Sequence, residues 1–344
     1  MPLPPRWVRR LLLAPGVVLL ALAVVITLPV WAVLALVASP LVPGRLRPLR
    51  LLWISTVYLV WDAAALLALF ALWVAAGFGV RKRSPAFQRA HYLLAGWFLR
   101  VLFWQARWAL RLHIDVVGAE PDIALPGRPE LVICRHAGPG DSFILIHALV
   151  NWFHREPRIV LKESLQWDPA IDVLLNRLPN RFIAPGPDGR EAAIAQIGHL
   201  ATGLDGDDAF VIFPEGANFT PGRRLRAIAR LRALGLDRMA SRAERLRHVL
   251  VPQPGGVLAA LDAAPEAGVV FVAHTGLDRM LTVTDVWREL PMDKRIVMRL
   301  WSVPPEDIPA GRRERIDWLF DWWARIDRWI TANRDGPAGA PDPR

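Results

Sequence analysis

From Leu11 to Ala38 the chain carries no charged side chain, and a bilayer core is spanned by about 20 such residues in a helix. In lipid the backbone has to satisfy its own hydrogen bonds, so a helix is the form this run adopts. It is too long for the apolar core of a signal peptide, about 7 to 15 residues. Pro15 and Pro29 are places where it could bend or break into a re-entrant pair. A second apolar run, Leu51 to Val80, follows the Pro-Gly-Arg stretch at 43–50, and the two predict a membrane hairpin over residues 1–83. Asp62 interrupts the second run; it either lies near the interface at the end of a shorter span or faces a partner or water at depth. A mean hydropathy of +0.27 and 53% hydrophobic residues fit a membrane class.

Arg6, Arg9, Arg10, Arg81, Lys82 and Arg83 flank the hairpin, against Arg45, Arg47 and Arg50 at its tip. That balance places both ends and the following domain on the cytoplasmic side, although a tip with three arginines also fits a hairpin dipping into one leaflet. Within 84–112, Trp97, Trp104 and Trp108 alternate with Arg100, Arg107 and Arg111 at helical spacings. This predicts an amphipathic helix that lies on a membrane surface or packs on the domain beyond it. A net charge of +10 points to anionic partners: headgroups, nucleic acid, or a phosphorylated or CoA-bearing substrate. The lone cysteine, Cys134, excludes an internal disulfide and a zinc site built on several thiolates.

From residue 113 to 333 the texture changes. Short β-rich runs recur at His113–Val117, Leu131–Cys134, Arg158–Leu161, Arg181–Ala184, Phe210–Phe213, Val249–Pro252, Val269–His274 and Ile296–Trp301. Helical patterning separates them at Ser142–Phe153, Pro169–Leu178 and Arg190–Leu204, which predicts an α/β domain: a mixed, mostly parallel sheet flanked by helices. A last helix over Arg312–Thr331 gathers Trp318, Trp322, Trp323, Ile326, Trp329 and Ile330 on one side, to pack on the domain or on lipid. Residues 334–344 are too poor in apolar side chains to order.

Two strand-end loops carry the polar residues that chemistry needs. In Leu131–Phe143, LVICRHAGPGDSF, an apolar strand runs into a small loop with His136 and, five positions on, Asp141. A histidine can take a proton from a hydroxyl while a carboxylate holds its other ring nitrogen as donor. In Ala209–Thr220, AFVIFPEGANFT, a second apolar strand ends in Pro214, Glu215 and Gly216. His-x4-Asp followed by Phe-Pro-Glu-Gly resembles the glycerolipid acyltransferase family that includes the 1-acylglycerol-3-phosphate acyltransferases. Arg158–Trp167 (RIVLKESLQW), His248–Gly256 (HVLVPQPGG) and the stretch from Glu306 to Pro309 extend the likeness over roughly residues 90–330.

The resemblance implies an acyl-CoA or acyl-carrier-protein donor as co-substrate, a lysophospholipid acceptor, direct attack without an acyl-enzyme, and an amphipathic two-helix element before the catalytic domain; no cofactor and no catalytic metal is expected. It assigns His136 as catalytic base and Asp141 as its orienter, and Glu215 and Gly216 to acceptor binding and loop shape. Where the family has Thr-Arg after the Glu-Gly, this chain has Ala217 and Asn218, which lack the charge and fork geometry that grip a phosphate monoester. Arg223 or Arg224 could substitute, Lys162 is a candidate for the phosphate or CoA end, and the acceptor is expected to carry a phosphodiester headgroup. Arg135 replaces an asparagine common before the histidine, and Ala184 and Pro185 stand where a middle block often offers arginine. Cys134 reads as a packing residue rather than a nucleophile. Nine arginines between Arg223 and Arg247 come without a nucleic-acid motif and read as a lipid-facing or solvated helix. His91, His113, His147, His154, His199 and His274 show no metal-ligand spacing. No nucleic acid and no obligate protein partner is expected. A thioesterase or lipid hydrolase using the same pair, and a non-catalytic lipid-binding protein, are the alternatives.

Overall fold

A computed structural model describes residues 3–81, 84–117, 127–183, 190–276, 287 and 294–333. Lys82, Arg83, Ala184, Pro185 and the tail 334–344 lie outside the described residues. The chain packs as two units: Met1–His113 with His147–Arg190 and Trp287–Lys294, and Ile114–Ile146 with Glu191–Val286 and Arg295–Arg344.

In the first unit, turns at Arg6–Val8 and Arg9–Leu13 lead into α1, Ala14–Ala38. The Arg9–Leu13 turn is π-helical and runs into α1 without a break, so Pro15 lies just after that wider turn inside a continuous helix, which also carries on through Pro29. α2, Arg47–Ala75, packs against α1. Both are long and apolar enough to cross a membrane, by length and composition. Of α1 only Ala21 is buried by protein, and Leu19, Ile26, Val30 and Leu34 stand exposed. α3, Pro85–Leu110, starts where the Ser84 hydroxyl accepts the Phe87 N–H at 3.3 Å. It buries Tyr92, Leu99 and Phe103 and leaves Leu93, Trp97, Trp104 and Trp108 exposed, which is the amphipathic division its spacing predicts.

Asp62 lies mid-helix in α2, buried, and faces Asp168 at the N-cap of α5, Pro169–Leu175. The interface-end reading of Asp62 therefore gives way to the partnered one. Asp168 also accepts from the Tyr58 hydroxyl at 2.5 Å and from the Ile171 N–H at 2.9 Å. Strands β3, Glu156–Lys162, and β4, Arg181–Ile183, pair in parallel with Val160 opposite Arg181. Arg9, counted above as a basic flank, is instead buried, donating to Asp172 at 2.8 Å and Gln166 at 3.0 Å. Arg10 stands 3.5 Å from the same Asp172 carboxylate.

In the second unit the strands run β1 (His113–Val117), β7 (Arg295–Val303), β6 (Gly268–Thr275), β2 (Glu130–Cys134), β5 (Asp208–Ile212). β2 is parallel to both β5 and β6, and β6 is antiparallel to β7. The sheet is thus mixed and mostly parallel, flanked by helices. Every residue of β2, β5 and β6 is buried, which is why these strands read as unbroken apolar runs rather than alternations. Helices α4 (Pro139–Asn151) and α6 (Arg190–Leu200) follow β2 and β4; α7 (Pro221–Ala233), α8 (Asp237–Arg245) and α9 (Pro254–Ala263) follow β5. The closing helix α10, Arg312–Asn333, buries Trp323, Ile326 and Ile330 and lays Trp318 and Trp322 on Phe271 of β6, at ring separations of 5.2 and 4.4 Å. Its tryptophan face packs on the domain rather than on lipid.

Val249–Pro252, expected as a strand, is not one. It is apolar and buried, but the N–H groups of Leu250 and Gln253 go to Glu215 and to the Pro214 carbonyl instead of a neighbouring strand.

The Arg9–Asp172 pair is buried on both sides, and removing Arg9 leaves Asp172 only the longer contact to the more exposed Arg10, at a cost of up to about 3–5 kcal/mol. Arg9→Met is expected to melt several degrees below wild type by tryptophan fluorescence in detergent. Adding Asp172→Leu should recover most of the loss, and a double variant no more stable than Arg9→Met would show that the contact carries no such coupling.

Candidate active site

β2 delivers the chain to a loop at 135–138, and α4 begins at once with Pro139, so Asp141 falls in the first turn of a helix. Free N–H groups and the helix dipole favour a carboxylate there. Asp141 Oδ2 accepts from the N–H of Ala137 at 2.6 Å and of Gly138 at 3.0 Å, and the Ser142 hydroxyl donates to Oδ1 at 3.4 Å. His136 Nδ1 stands 3.1 Å from each carboxylate oxygen. With Nδ1–H donated to Asp141, Nε2 is left as the basic atom of a ring that is 14% exposed. The Phe213 ring lies 4.7 Å from the imidazole.

A second imidazole approaches the same carboxylate. His274, near the end of β6 and buried, has Nε2 3.6 Å from Asp141 Oδ2. Its carbonyl accepts from the buried Arg135 at 2.7 Å. Burial works to raise the Asp141 carboxyl, but the His136 hydrogen bond, the proximity of His274 and His136 and the Gly138 N–H together hold it below its ordinary 3.8. Asp141 is therefore an anion at neutral pH.

Glu215 comes to this loop from β5. It is 3% exposed, and Oε1 accepts the main-chain N–H of His136 at 2.9 Å while Oε2 accepts that of Leu250 at 2.7 Å. The His136 carbonyl accepts from Phe219 N–H at 2.8 Å, so the backbone of His136 is fixed on both sides by the 213–220 loop. Gly216 follows at φ +66°, and a Cβ there would stand 2.8 Å from Gln253 Nε2, a second reason for glycine.

The other residues singled out from sequence are placed as follows. Asn218 presents a side-chain oxygen that is buried and meets no hydrogen-bond donor among the described residues. Arg223 is exposed beside it, donating to the Asn218 carbonyl at 3.0 Å. Arg224 does not face this loop; its guanidinium is engaged by the carbonyls of Leu246 and Glu244 at the end of α8. Lys162 is exposed at the end of β3 and belongs to the other unit. Cys134 is fully buried, its thiol bonded to the Arg135 carbonyl at 3.2 Å, and burial pushes its pKa well up, away from a thiolate. Among the described residues no three His, Cys, Asp or Glu side chains stand close enough to hold a metal ion. Sequence reasoning missed His274 and Arg135 as neighbours of the pair. Both follow from the parallel pairing of β2 with β6, Cys134 opposite Val272, which no local pattern reveals.

Burial pushes the Glu215 carboxyl from 4.5 up to about 8, against the Arg135 charge and its two N–H donors and with the help of Asp141. Its native state then holds a proton that the unfolded chain releases, so its contribution to stability is full below about pH 4.5 and is lost as pH rises through about 8. Between pH 5 and 8.5, wild type should lose more melting temperature than Glu215→Gln. Parallel curves for the two proteins would place the proton elsewhere.

Residues 113–272 match the family model described as Acyltransferase. No curated protein matches the chain. Among solved structures it is similar to the 1-acyl-sn-glycerophosphate (LPA) acyltransferase PlsC from Thermotoga maritima, with a TM-score of 0.51 at 12% identity over 83% of this chain and 98% of that one. That likeness is one of fold, and the family match falls on the segment that holds His136, Asp141 and Glu215. Over residues 113–272 the chain is thus identified with the Acyltransferase family model, on a fold similar to that of a 1-acyl-sn-glycerophosphate acyltransferase.

Proposed function

We propose that the protein moves a fatty acyl group from a thioester, acyl-CoA or acyl carrier protein, to the free hydroxyl of a lysophospholipid. The observation that carries this reading is the His136–Asp141 contact: a mostly buried imidazole that keeps some exposure and whose Nδ1 is held at 3.1 Å by a buried, ionised carboxylate. His136 Nε2 takes the proton from the acceptor hydroxyl as its oxygen attacks the thioester carbonyl. Asp141 stabilises the imidazolium that forms. The carbon–sulfur bond then breaks, the ester is released, and the thiolate recovers the proton from His136.

The loop's own amides have other work. The N–H groups of His136, Ala137 and Gly138 are bound to Glu215 and Asp141, so stabilisation of the oxyanion falls to other donors. Glu215 acts by holding the His136 backbone, since both its oxygens are engaged by main chain.

A lysophospholipid with a phosphodiester headgroup is the acceptor the loop favours. Asn218 offers a neutral amide where a phosphate monoester would call for a guanidinium, and Arg224 is committed to α8, which leaves Arg223 at the loop. The two apolar helices support membrane insertion, and the basic residues at the ends of the hairpin, Arg6, Arg10 and Arg81, support a domain facing the cytoplasm.

The test is transfer from labelled acyl-CoA or acyl carrier protein to a panel of lysophospholipids, in detergent. Folded His136→Ala and Asp141→Asn should lower kcat by about 10²- to 10⁴-fold, and wild-type rates from His136→Ala would remove the mechanism. Phosphodiester acceptors should exceed lysophosphatidate for wild type, and Asn218→Arg should shift the preference toward lysophosphatidate. Free fatty acid released without any acceptor would instead show a hydrolase.

A further inference from the structure

Residues 221–247, helices α7 and α8 with their flanks, hold nine arginines and no lysine against two acids, Asp237 and Glu244. Five of the arginines are engaged within the unit. Arg223 donates to the Asn218 carbonyl, Arg224 holds the end of α8, Arg232 pairs with Glu244, and Arg238 and Arg242 reach Asp317 at 3.7 and 2.8 Å. Arg226 and Arg230 make no ion pair among the described residues, and both are exposed.

These two charges share a face with apolar groups. Ile228 is the buried residue of α7, and away from it Leu225, Arg226, Ala229, Arg230 and Ala233 are all exposed, one turn apart, continued by exposed Leu234 and Leu236. Leu225 and Leu234, each 62% exposed, and Leu236 add apolar surface to the same stretch as the two guanidinium groups, and it is the combination that is informative. Leucines at the acyl boundary with guanidinium groups at the phosphates is what a helix lying in an anionic interface presents.

The position of α7 gives that face a use. Its N-cap, Thr220, accepts the Arg223 N–H at 3.2 Å, and the preceding Phe219 N–H is bonded to the His136 carbonyl. A surface that seats α7 also seats the loop that holds the catalytic imidazole.

We propose that the exposed face of α7 and the turn after it dock on an anionic phospholipid surface and hold the mouth of the site at headgroup depth. The proposal deepens the acyltransferase reading and rests on it, because an acceptor lodged in the bilayer is then taken without leaving the interface. The unpaired guanidinium groups supply the charge complementarity, and the leucines supply a reason for lipid over a soluble polyanion.

The test uses the whole protein. Cys134 is fully buried, so an environment-sensitive fluorophore placed on Leu225→Cys reports one position. After reconstitution in vesicles, the emission should shift to the blue and be quenched by spin-labelled lipid when phosphatidylglycerol is present, and not in pure phosphatidylcholine. Raising the salt, or combining Arg226→Gln with Arg230→Gln, should reverse the shift. Emission that is identical in the two vesicles, or insensitive to the arginine changes, overturns the proposal. So does a shift produced by single-stranded RNA and not by vesicles. Acyl transfer by the same preparations in neutral detergent separates the two readings. Transfer without the shift removes only the docking surface, and absence of transfer in wild type removes the function on which it rests.

Discussion

Glu215 gives one carboxylate oxygen to the main-chain N–H of His136 and the other to that of Leu250, and the order of the site follows from those two bonds. The loop after β2, the loop after β5 and the segment before α9 come from distant parts of the chain and make no ladder with one another. A buried carboxyl group with two N–H donors replaces the ladder. It also takes up polar groups that would otherwise be buried without partners, at a cost of about 1–3 kcal/mol each. The Phe219–His136 and Gln253–Pro214 main-chain bonds complete the clamp, and Gly216 leaves Gln253 room to lie against it.

Much of the architecture was legible because its causes are local. Fully buried parallel strands leave unbroken apolar runs, so β2, β5 and β6 could be read to within a residue or two of their ends. The aromatic spacing of α10 announced a buried face, although only packing shows that β6 covers it. The proximity of His136 to Asp141 was equally readable, since α4 starts between them and turns the chain back. Val249–Pro252 was misread because an apolar run reports burial and not hydrogen-bond partner. Its donors go to a carboxylate, and nothing in its own residues says so. His274 was out of reach for the same reason, since its place beside Asp141 depends on which strand neighbours β2.

Charge was the least readable quantity. A net +10 suggests a uniformly basic surface, yet the arginines divide by what they meet. Arg9 and Arg135 are buried, one on Asp172 and one against the His274 carbonyl, and Arg224 ties α7 to α8. A guanidinium can satisfy several acceptors in fixed directions, which a lysine ammonium on a flexible stem does less well. The charge left for solvent or lipid is therefore set by packing, and Arg226 and Arg230 of α7 are part of it.

Asp141 and Glu215 show how one unit holds two buried carboxylates for opposite ends. Asp141 sits at a helix N-terminus with two N–H donors on one oxygen and two imidazoles near it, so the anion wins over burial and can orient a base. Glu215 receives one N–H on each oxygen and feels Asp141 as a like charge, so burial wins and its carboxyl is pushed to about 8. Each receives two main-chain N–H groups, and the difference follows from the neighbours: His136 is bonded to Asp141 with His274 close by, whereas Glu215 is fully buried and has Arg135 on one side against Asp141 on the other. An ionised Asp141 close by makes a second full charge on Glu215 costly, and a proton on Glu215 preserves the field that Asp141 presents to His136. Glu215 and Asp141 are thus coupled electrostatically as well as through the backbone of His136.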